Sequence, residues 1–344
     1  MVRKATSQDV ATLAGVSRSA VSLVLNGRGD GNIAADKQLA ILAAAKKLNY
    51  TPNSVALSLR NRRTSTIGVV TDAIATTAFG GGLLQGAAEQ ARQAGYLLLV
   101  VDTHYDTDRE REAFITLRDR QVDGYLYAAM GLRPYTPPEL LRSVPAMLAN
   151  CFDPASSIAA VTADELAGGR AAAQILVDAG HTDIVMLAGT TDVEATHHRI
   201  EGYRQVLSEA GLPVAEPIIS GWEIDKGYQA AIQVLSGPRR PTGVLCANDR
   251  AAVGVVLAAG RLGLAVPEDL SVVGYDDDEN VAPCMAPRLT TIALPHRQIG
   301  EESMRMLLSQ LSGGARPAPV TLKLPCPPVL RDSVAAPRRS RVNG

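Results

Sequence analysis

Hydrophobic residues repeat along this chain in two registers, and the change from one to the other falls near residue 65. Before it, apolar positions recur every three or four residues. Val10, Leu13 and Ala14 form one stripe, Val21, Val24 and Leu25 a second, and Leu39, Leu42 and Ala45 a third. This spacing predicts three short helices within residues 7–50, with those side chains inward. Ser7 is the expected N-cap of the first, with Asp9 in its first turn; Gly15 should break it, and Ser17 should cap the second. Asn26-Gly27 ends the second helix, a loop rich in Gly, Asp and Asn follows, and the third helix runs from about Asp36 to Leu48. Helix, tight glycine turn, helix is the arrangement whose second member enters the DNA major groove. The same spacing also occurs in small helical bundles that bind no DNA.

From Thr66 onward, apolar strands alternate with amphipathic helices. Strands are expected at 67–71, 96–102, 124–129, 146–150, 159–163, 183–189, 217–220, 243–247, 271–275, 290–294 and 320–324. Helices are expected at 83–94, 109–120, 165–179, 199–210, 226–235 and 250–262. Strands that are apolar almost throughout predict parallel sheets covered on both faces. There are more of them than one ordinary sheet holds, so two α/β subdomains with a cleft are expected, the ligand lying outside the carboxyl ends of the strands.

Charge changes this picture most. The formal net charge is only −1, yet residues 1–63 carry +7 and the remainder −8. A basic head on an acidic body points to a polyanion partner for the head, the alternative being a merely solvated basic surface. No apolar run reaches the roughly 18 residues of a membrane span, and the N-terminus has no apolar export segment, so a cytoplasmic protein is expected. Cys151, Cys246, Cys284 and Cys326 are scattered without a CxxC pair, which argues for buried reduced thiols over a disulfide framework or zinc site.

Catalytic and cofactor signals are weak. Gly80-Gly81-Gly82 follows a strand but forms neither a GxGxxG nor a Walker motif, and no GxSxG elbow occurs. Asp276-Asp277-Asp278 could face a divalent metal, a ligand or solvent. His197-His198 lack a partner at ligand spacing and read as cleft-edge or surface residues. No cofactor, metal or enzymatic activity is expected. Between head and body, Pro52 precedes a possible Asn53 cap, a turn or two of amphipathic helix, and the basic run Arg60, Arg62, Arg63.

The segment from Asp9-Val10-Ala11 through Ala14-Gly15-Val16-Ser17 and Ala20-Val21-Ser22 to Asn26-Gly27 closely resembles the signature of the LacI/GalR regulators. The likeness continues through Leu48-Asn49-Tyr50-Thr51-Pro52-Asn53, Leu59-Arg60 and Thr66-Ile67-Gly68-Val69-Val70. Further on come Arg199-Ile200-Glu201-Gly202-Tyr203, Ala247-Asn248-Asp249, Ser271 to Asp277, and Leu289-Thr290-Thr291-Ile292. It covers roughly residues 5–330.

This resemblance implies an all-α helix-turn-helix head (1–51), a hinge helix and linker (52–65), and an effector-binding and dimerisation core (66–330). The core would resemble a periplasmic sugar-binding protein, with one subdomain at about 66–162 plus 293–320, the other at about 163–290 plus 321–330, and a tail at 331–344. In the head, Arg18 and Ser19 match the base-reading end of the recognition helix, where an Arg pairs bidentately with guanine. Ser17, Ser22 and Asn26 fit phosphate contacts or capping. Leu23 stands where an Arg is often found, so it either meets a thymine methyl or packs. Asn53 and Leu59 belong to the hinge. Leu59 matches a leucine that wedges into the minor groove, or is simply an apolar helix residue, and Arg60 tracks phosphate or is solvated.

In the core, the resemblance implies that Arg199, Asn248 and Asp276 contact the effector, and their fork, amide and carboxylate chemistry suits a polyol. Trp222 either stacks on a sugar ring or packs in the core. Asp72 and Phe79 correspond to the mouth of the cleft, and Asn150 stands where the family often has Asp. The implied function is a dimeric repressor of carbohydrate-utilisation genes, released from a pseudo-palindromic operator in double-stranded DNA by a sugar-like inducer. The alternative is a purine-type co-repressor that tightens DNA binding. A sugar-binding transport protein would need an export signal and no head. With no leucine heptad after the core, a homodimer without a membrane partner is expected.

Overall fold

The computed structural model describes residues 5–51, 63–76, 80–313 and 318–338. The chain divides into two compact units, Met1–Ser65 and Thr66–Gly344.

The first unit holds three helices, α1 (Ser7–Ala14), α2 (Arg18–Leu25) and α3 (Ala35–Lys47). The N-cap of α1 is Thr6, one residue before the expected Ser7. Thr6 Oγ1 accepts from the Asp9 amide while the Asp9 carboxylate accepts from the Thr6 amide, a reciprocal capping box that Ser7 cannot form at that spacing. Gly15 ends α1 in the left-handed region at φ 64°, and the Ser17 hydroxyl caps α2 by accepting from the Ala20 amide. The core of this unit is Val10, Ala11, Ala20, Val21, Val24, Ile41, Ala44 and Ala45, with Ala14 and Leu25 packed partly against it. The expected inward face of α3 is corrected here. Leu39 and Leu42 are 69% and 49% exposed, and Leu13 of α1 is exposed too. An alanine-rich helix offers more than one apolar stripe. The one chosen lets α3 approach α1 and α2 closely through Ala44 and Ala45.

The second unit contains two parallel sheets. The first is built from β1 (Thr66–Thr71), β2 (Leu97–Asp102), β3 (Gly124–Ala128), β4 (Ala146–Ala149), β5 (Ala160–Ala163) and β11 (Thr321–Leu324), in the order β11-β5-β4-β3-β1-β2. The second contains β6 (Ile184–Ala188), β7 (Ile218–Ile219), β8 (Gly243–Cys246) and β9 (Ser271–Val273), in the order β7-β6-β8-β9. A short antiparallel pair, β10 (Thr291–Ile292) with β12 (Pro328–Val329), lies where the chain passes between them. Every expected strand is present, most shorter by a residue or two. β12 lacks a periodic signal because it is two residues long and contains Pro.

Helices α4 (Gly81–Gln93), α5 (Thr107–Asp119), α6 (Glu139–Ser143) and α11 (His296–Leu311) pack against the first sheet. Helices α7 (Glu165–Asp178), α8 (Glu194–Glu209), α9 (Ile224–Leu235) and α10 (Asp249–Arg261) belong to the second. Three helix pairs approach through glycine. A Cβ on Gly86 of α4 would stand 2.1 Å from Arg297 O of α11; on Gly202 of α8, 2.6 Å from Leu166 O of α7; on Gly254 of α10, 2.2 Å from Ile224 O of α9. Backbones this close leave no room for a side chain. Buried residues of both sheets, among them Val69, Leu126, Met186 and Leu245, form one continuous cluster.

Two expected boundaries are corrected. Residues 321–324 join the first sheet, pairing in parallel with β5 from Thr321 opposite Ala160 to Leu324 opposite Ala163. Residues 331–338 do not form a free tail. The Val272 amide donates to Ser333 O at 2.9 Å, and the Ser271 hydroxyl and Ala335 backbone exchange two hydrogen bonds at 3.0 Å. This covers the outer edge of β9, whose residues are all buried, by hydrogen bonding that apolar periodicity does not report. Of the four free thiols, Cys284 is exposed and the other three are buried.

Candidate functional site

Two sets of residues carry the candidate chemistry. In the first unit, Ser17, Arg18 and Ser19 form the exposed start of α2, held out by the Ser17 cap and by burial of Ala20, Val21 and Val24 on the opposite side. Arg18 makes no hydrogen bond or ion pair with a described residue, so its guanidinium stands open to a partner. Asn26 folds back instead. Its Nδ2 donates to Ser22 O at 2.5 Å and lies 3.2 Å from Ser22 Oγ, closing the end of α2. Leu23 is half-buried, consistent with packing and with a partial apolar face. Asn53, Leu59 and Arg60 lie outside the described residues.

In the second unit, the candidates gather at the carboxyl ends of parallel strands. Asp72 follows β1, Asn150 follows β4, Asn248 follows β8 and Asp276 comes shortly after β9. The two edges approach each other: a Cβ on Gly131, past β3, would stand 3.6 Å from Val193 Cγ1, just before α8.

At the second sheet's edge, Arg199 on α8 is buried and its donors are aimed by two acceptor groups. Nε and Nη2 donate to Glu165 Oε2 and Oε1 at 2.8 and 3.0 Å, and Nη1 donates to Ala247 O at 2.7 Å. The guanidinium lies over the Tyr275 ring at 3.7 Å from its centroid and 5.8 Å from the Trp222 ring. The Tyr275 hydroxyl donates to the same Glu165 Oε2 at 2.9 Å. Trp222 packs its ring against Gly189, where a Cβ would stand 2.2 Å from Cζ2, and its Nε1 donates to Thr190 Oγ1 at 3.0 Å. Trp222 therefore lies beside Arg199 and is only partly buried.

Asn248 caps α10, accepting from the Ala251 amide at 2.8 Å through Oδ1, while its Nδ2 has no partner among the described residues. Asp276 has φ 119°, a left-handed conformation fixed from both sides: its amide donates to Ile292 O and its carbonyl accepts from the Leu294 amide. No described residue hydrogen-bonds to its carboxylate. Burial pushes that carboxyl well above the ordinary carboxylate range, opposed by the Arg199 guanidinium.

The first sheet's edge is closed on itself. Asp72 Oδ1 accepts from the Ala73 and Met130 amides, and Oδ2 faces Arg133 Nη2 at 3.2 Å. Arg133 in turn donates to the Tyr127 hydroxyl at 2.6 Å. Tyr127 stacks on Tyr135 with centroids 3.6 Å apart, and the Tyr135 hydroxyl donates to Glu110 at 2.8 Å. Asn150, at φ 56°, directs Nδ2 to Ala129 O and Met130 O. Asp72 thus has both carboxylate oxygens engaged by protein, whereas Asn150 has only its amide donor engaged among the described residues. Phe79 lies outside the described residues.

Sequence reasoning missed Glu165, Tyr275, Arg133 and Asp249. The signal for Glu165 was the Arg itself, since a buried guanidinium requires a buried anion. Asp249 is wholly buried, accepting from Thr291 Oγ1 at 2.6 Å and from the Asp278 amide at 2.8 Å; burial pushes its carboxyl up to about 7 despite both donors. Thr196, one turn before Arg199, has a buried hydroxyl with no hydrogen-bond partner among the described residues. The Asp276–278 run is divided, with Asp277 bound to Arg331 and Asp278 accepting from the Asn280 amide. His197 and His198 face Thr191 O and Glu194 on the outside of α8. Among the described residues, no group of three His, Cys, Asp or Glu is placed to hold a metal, and no helix is long and apolar enough to cross a membrane.

Comparison with known proteins adds a third line. Residues 6–53 match the bacterial regulatory proteins of the lacI family, and residues 173–334 match the periplasmic binding protein-like domain. The chain is 36% identical to the ribose operon repressor of Escherichia coli (strain K12) over 314 residues, 90% of this chain and 93% of that protein. It is 34% identical to the HTH-type transcriptional repressor PurR of Vibrio campbellii over 89% of this chain and 92% of that one. The lac repressor dimer bound to operator and the anti-inducer ONPF superposes with a TM-score of 0.80 at 29% identity, covering 97% of this chain and 100% of that one.

Proposed function

The chain belongs to the LacI family of bacterial regulatory proteins, and on that premise we propose that it is a repressor released from a pseudo-palindromic operator by a sugar-like inducer. The observation that carries this reading is the edge of the second sheet. There a stacked Arg199–Tyr275 pair adjoins an Asn248 amide donor and an Asp276 carboxyl group that have no hydrogen-bond partner among the described residues. An amide donor and a carboxylate acceptor beside aromatic faces are what a polyol needs, with hydroxyls donating to Asp276 and accepting from Asn248. The ribose operon repressor among its relatives agrees with a sugar ligand.

Arg18 at the exposed start of α2 reads a guanine, with Ser19 beside it at the base-reading end and Ser17 against phosphate. The protein acts as a homodimer. Edge strand β2 leaves Leu97 63% and Val100 42% exposed, and Leu257 on α10 is 56% exposed; apolar groups on an open strand edge and a helix face call for a partner. It works where the operator is, in the cytoplasm, and catalyses no reaction.

A second reading, a flat purine-type co-repressor, is favoured by the aromatic faces of Tyr275 and Trp222 around Arg199. A gel shift on the DNA upstream of the protein's own gene, with and without sugars and purine bases, separates the two. Release of a specific shift by one sugar supports the inducible repressor, strengthening of it by a purine supports co-repression, and absence of any specific shift at moderate salt counts against autoregulation through α2.

A further inference from the structure

The buried guanidinium of Arg199 is the group an anion entering beside Tyr275 would use. Its charge is already cancelled in place. Glu165 takes Nε and Nη2, Ala247 O takes Nη1, and the Arg199 and Glu165 side chains are 6% and 3% exposed. The Tyr275 hydroxyl holds Glu165 from its other side, so the carboxylate is fixed against Arg199 by three donors. Asp276 adds a carboxyl group that burial holds well above the ordinary carboxylate range, so it offers an entering anion no positive charge either. The opposite edge repeats the arrangement, with Arg133 bound to the buried carboxylate of Asp72 and to Tyr127. Each guanidinium keeps N–H donors, but neither offers uncompensated positive charge. In a site of low dielectric, a phosphate or carboxylate brought against this array would lose its water and meet the Glu165 carboxylate.

We propose that Glu165 is a specificity-determining residue that makes the cleft reject anions, so that the effector is a neutral, unphosphorylated polyol and not its phosphate ester. This rests on the sugar-effector reading and narrows it. The hydroxyls of such a ligand take the remaining N–H groups of Arg199, the Asn248 amide and the Asp276 carboxylate without burying a net charge.

Trp222 is the only tryptophan of the chain and lies 5.8 Å from Arg199, so its fluorescence reports occupancy. The full-length protein and Glu165→Gln are titrated with D-ribose, D-ribose 5-phosphate, hypoxanthine, inosine, inosine 5′-monophosphate and inorganic phosphate. The expected result is that the wild type binds a neutral probe at least about tenfold more tightly than its phosphate ester and does not respond to inorganic phosphate. Glu165→Gln, with the guanidinium charge uncovered, gains a response to inorganic phosphate and to the ester. Equal or tighter binding of an ester by the wild type overturns the proposal, as does a wild-type response to inorganic phosphate or a Glu165→Gln protein that gains none. If hypoxanthine binds while ribose does not, and its nucleotide is rejected, the sugar reading fails and charge selection stands. Should Glu165→Gln not fold, the wild-type comparison of parent, ester and inorganic phosphate decides alone.

Discussion

Glu165 Oε2 accepts two hydrogen bonds at once, from Arg199 Nε at 2.8 Å and from the Tyr275 hydroxyl at 2.9 Å. The two donors come from α8 and from the loop after β9, while Glu165 opens α7. One carboxylate therefore ties three segments at the edge of the second sheet. Removing it leaves a buried guanidinium without its counter-charge. Glu165→Ala is expected to destabilise the core by about 3–5 kcal/mol, measured by urea unfolding. A loss under about 1 kcal/mol, the range of exposed pairs, would show that Arg199 finds water or another partner.

Arg18 has no partner to lose among the described residues, so Arg18→Ala should leave the stability of the head unchanged. It should weaken operator binding by about 1–3 kcal/mol at one or two base pairs and affect random DNA little. Fluorescence anisotropy on operator and scrambled duplexes checks this. A uniform loss on both would reassign Arg18 to phosphate.

Asp249 makes core stability depend on pH. Burial raises its folded-state pKa from 3.8 to about 7, so between those values the folded protein binds a proton that the unfolded chain releases. Stability from this group is present below about pH 4 and is lost as pH rises through about 7, a change of the order of 4 kcal/mol. Asp249→Asn should therefore be least favourable relative to wild type near pH 4 and gain on it toward pH 8. Parallel stability curves for the two proteins would mean that Asp249 stays ionised throughout.

Gly189 gives the Trp222 ring its place, since a Cβ there would stand 2.2 Å from Cζ2. Gly189→Ala should displace the indole, shift its emission and weaken inducer binding by about tenfold, a loss of roughly 1.4 kcal/mol. Operator binding without inducer should be unchanged. Unaltered emission and inducer response together would place Trp222 outside the effector's reach.

Leu97 and Val100 lie exposed on the edge strand β2. Leu97→Asp places a charge on that edge and should shift the protein toward monomer in sedimentation, with loss of high-affinity operator binding. A variant that remains dimeric at nanomolar concentration would move the interface to another face.

The local pattern of the sequence determined strands β1 to β11 and most of the helices in order, while α6, α11 and β12 were not among the expected elements. Strands such as β1, β3 and β8 are apolar along their whole length because both faces are covered, and that requires no knowledge of their neighbours. Gly15 and Ser17 marked the turn of the head because a left-handed residue and a hydroxyl cap are local requirements. Leu39, Leu42 and the stretch 331–338 were misplaced for the complementary reason. Which stripe of an alanine-rich helix turns inward, and whether a polar segment pairs along a sheet edge, depends on surfaces distant in sequence. The site divides in the same way. Arg199, Asn248 and Asp276 were implied by the family resemblance of the segments that carry them. Their freedom to act was decided only by the tertiary structure, because charge compensation is set through space. Glu165, 34 residues before Arg199, engages it bidentately, and Asp72 is closed off by Arg133, 61 residues away. The sequence determined which groups were present, and the fold decided which of their charges remain uncompensated.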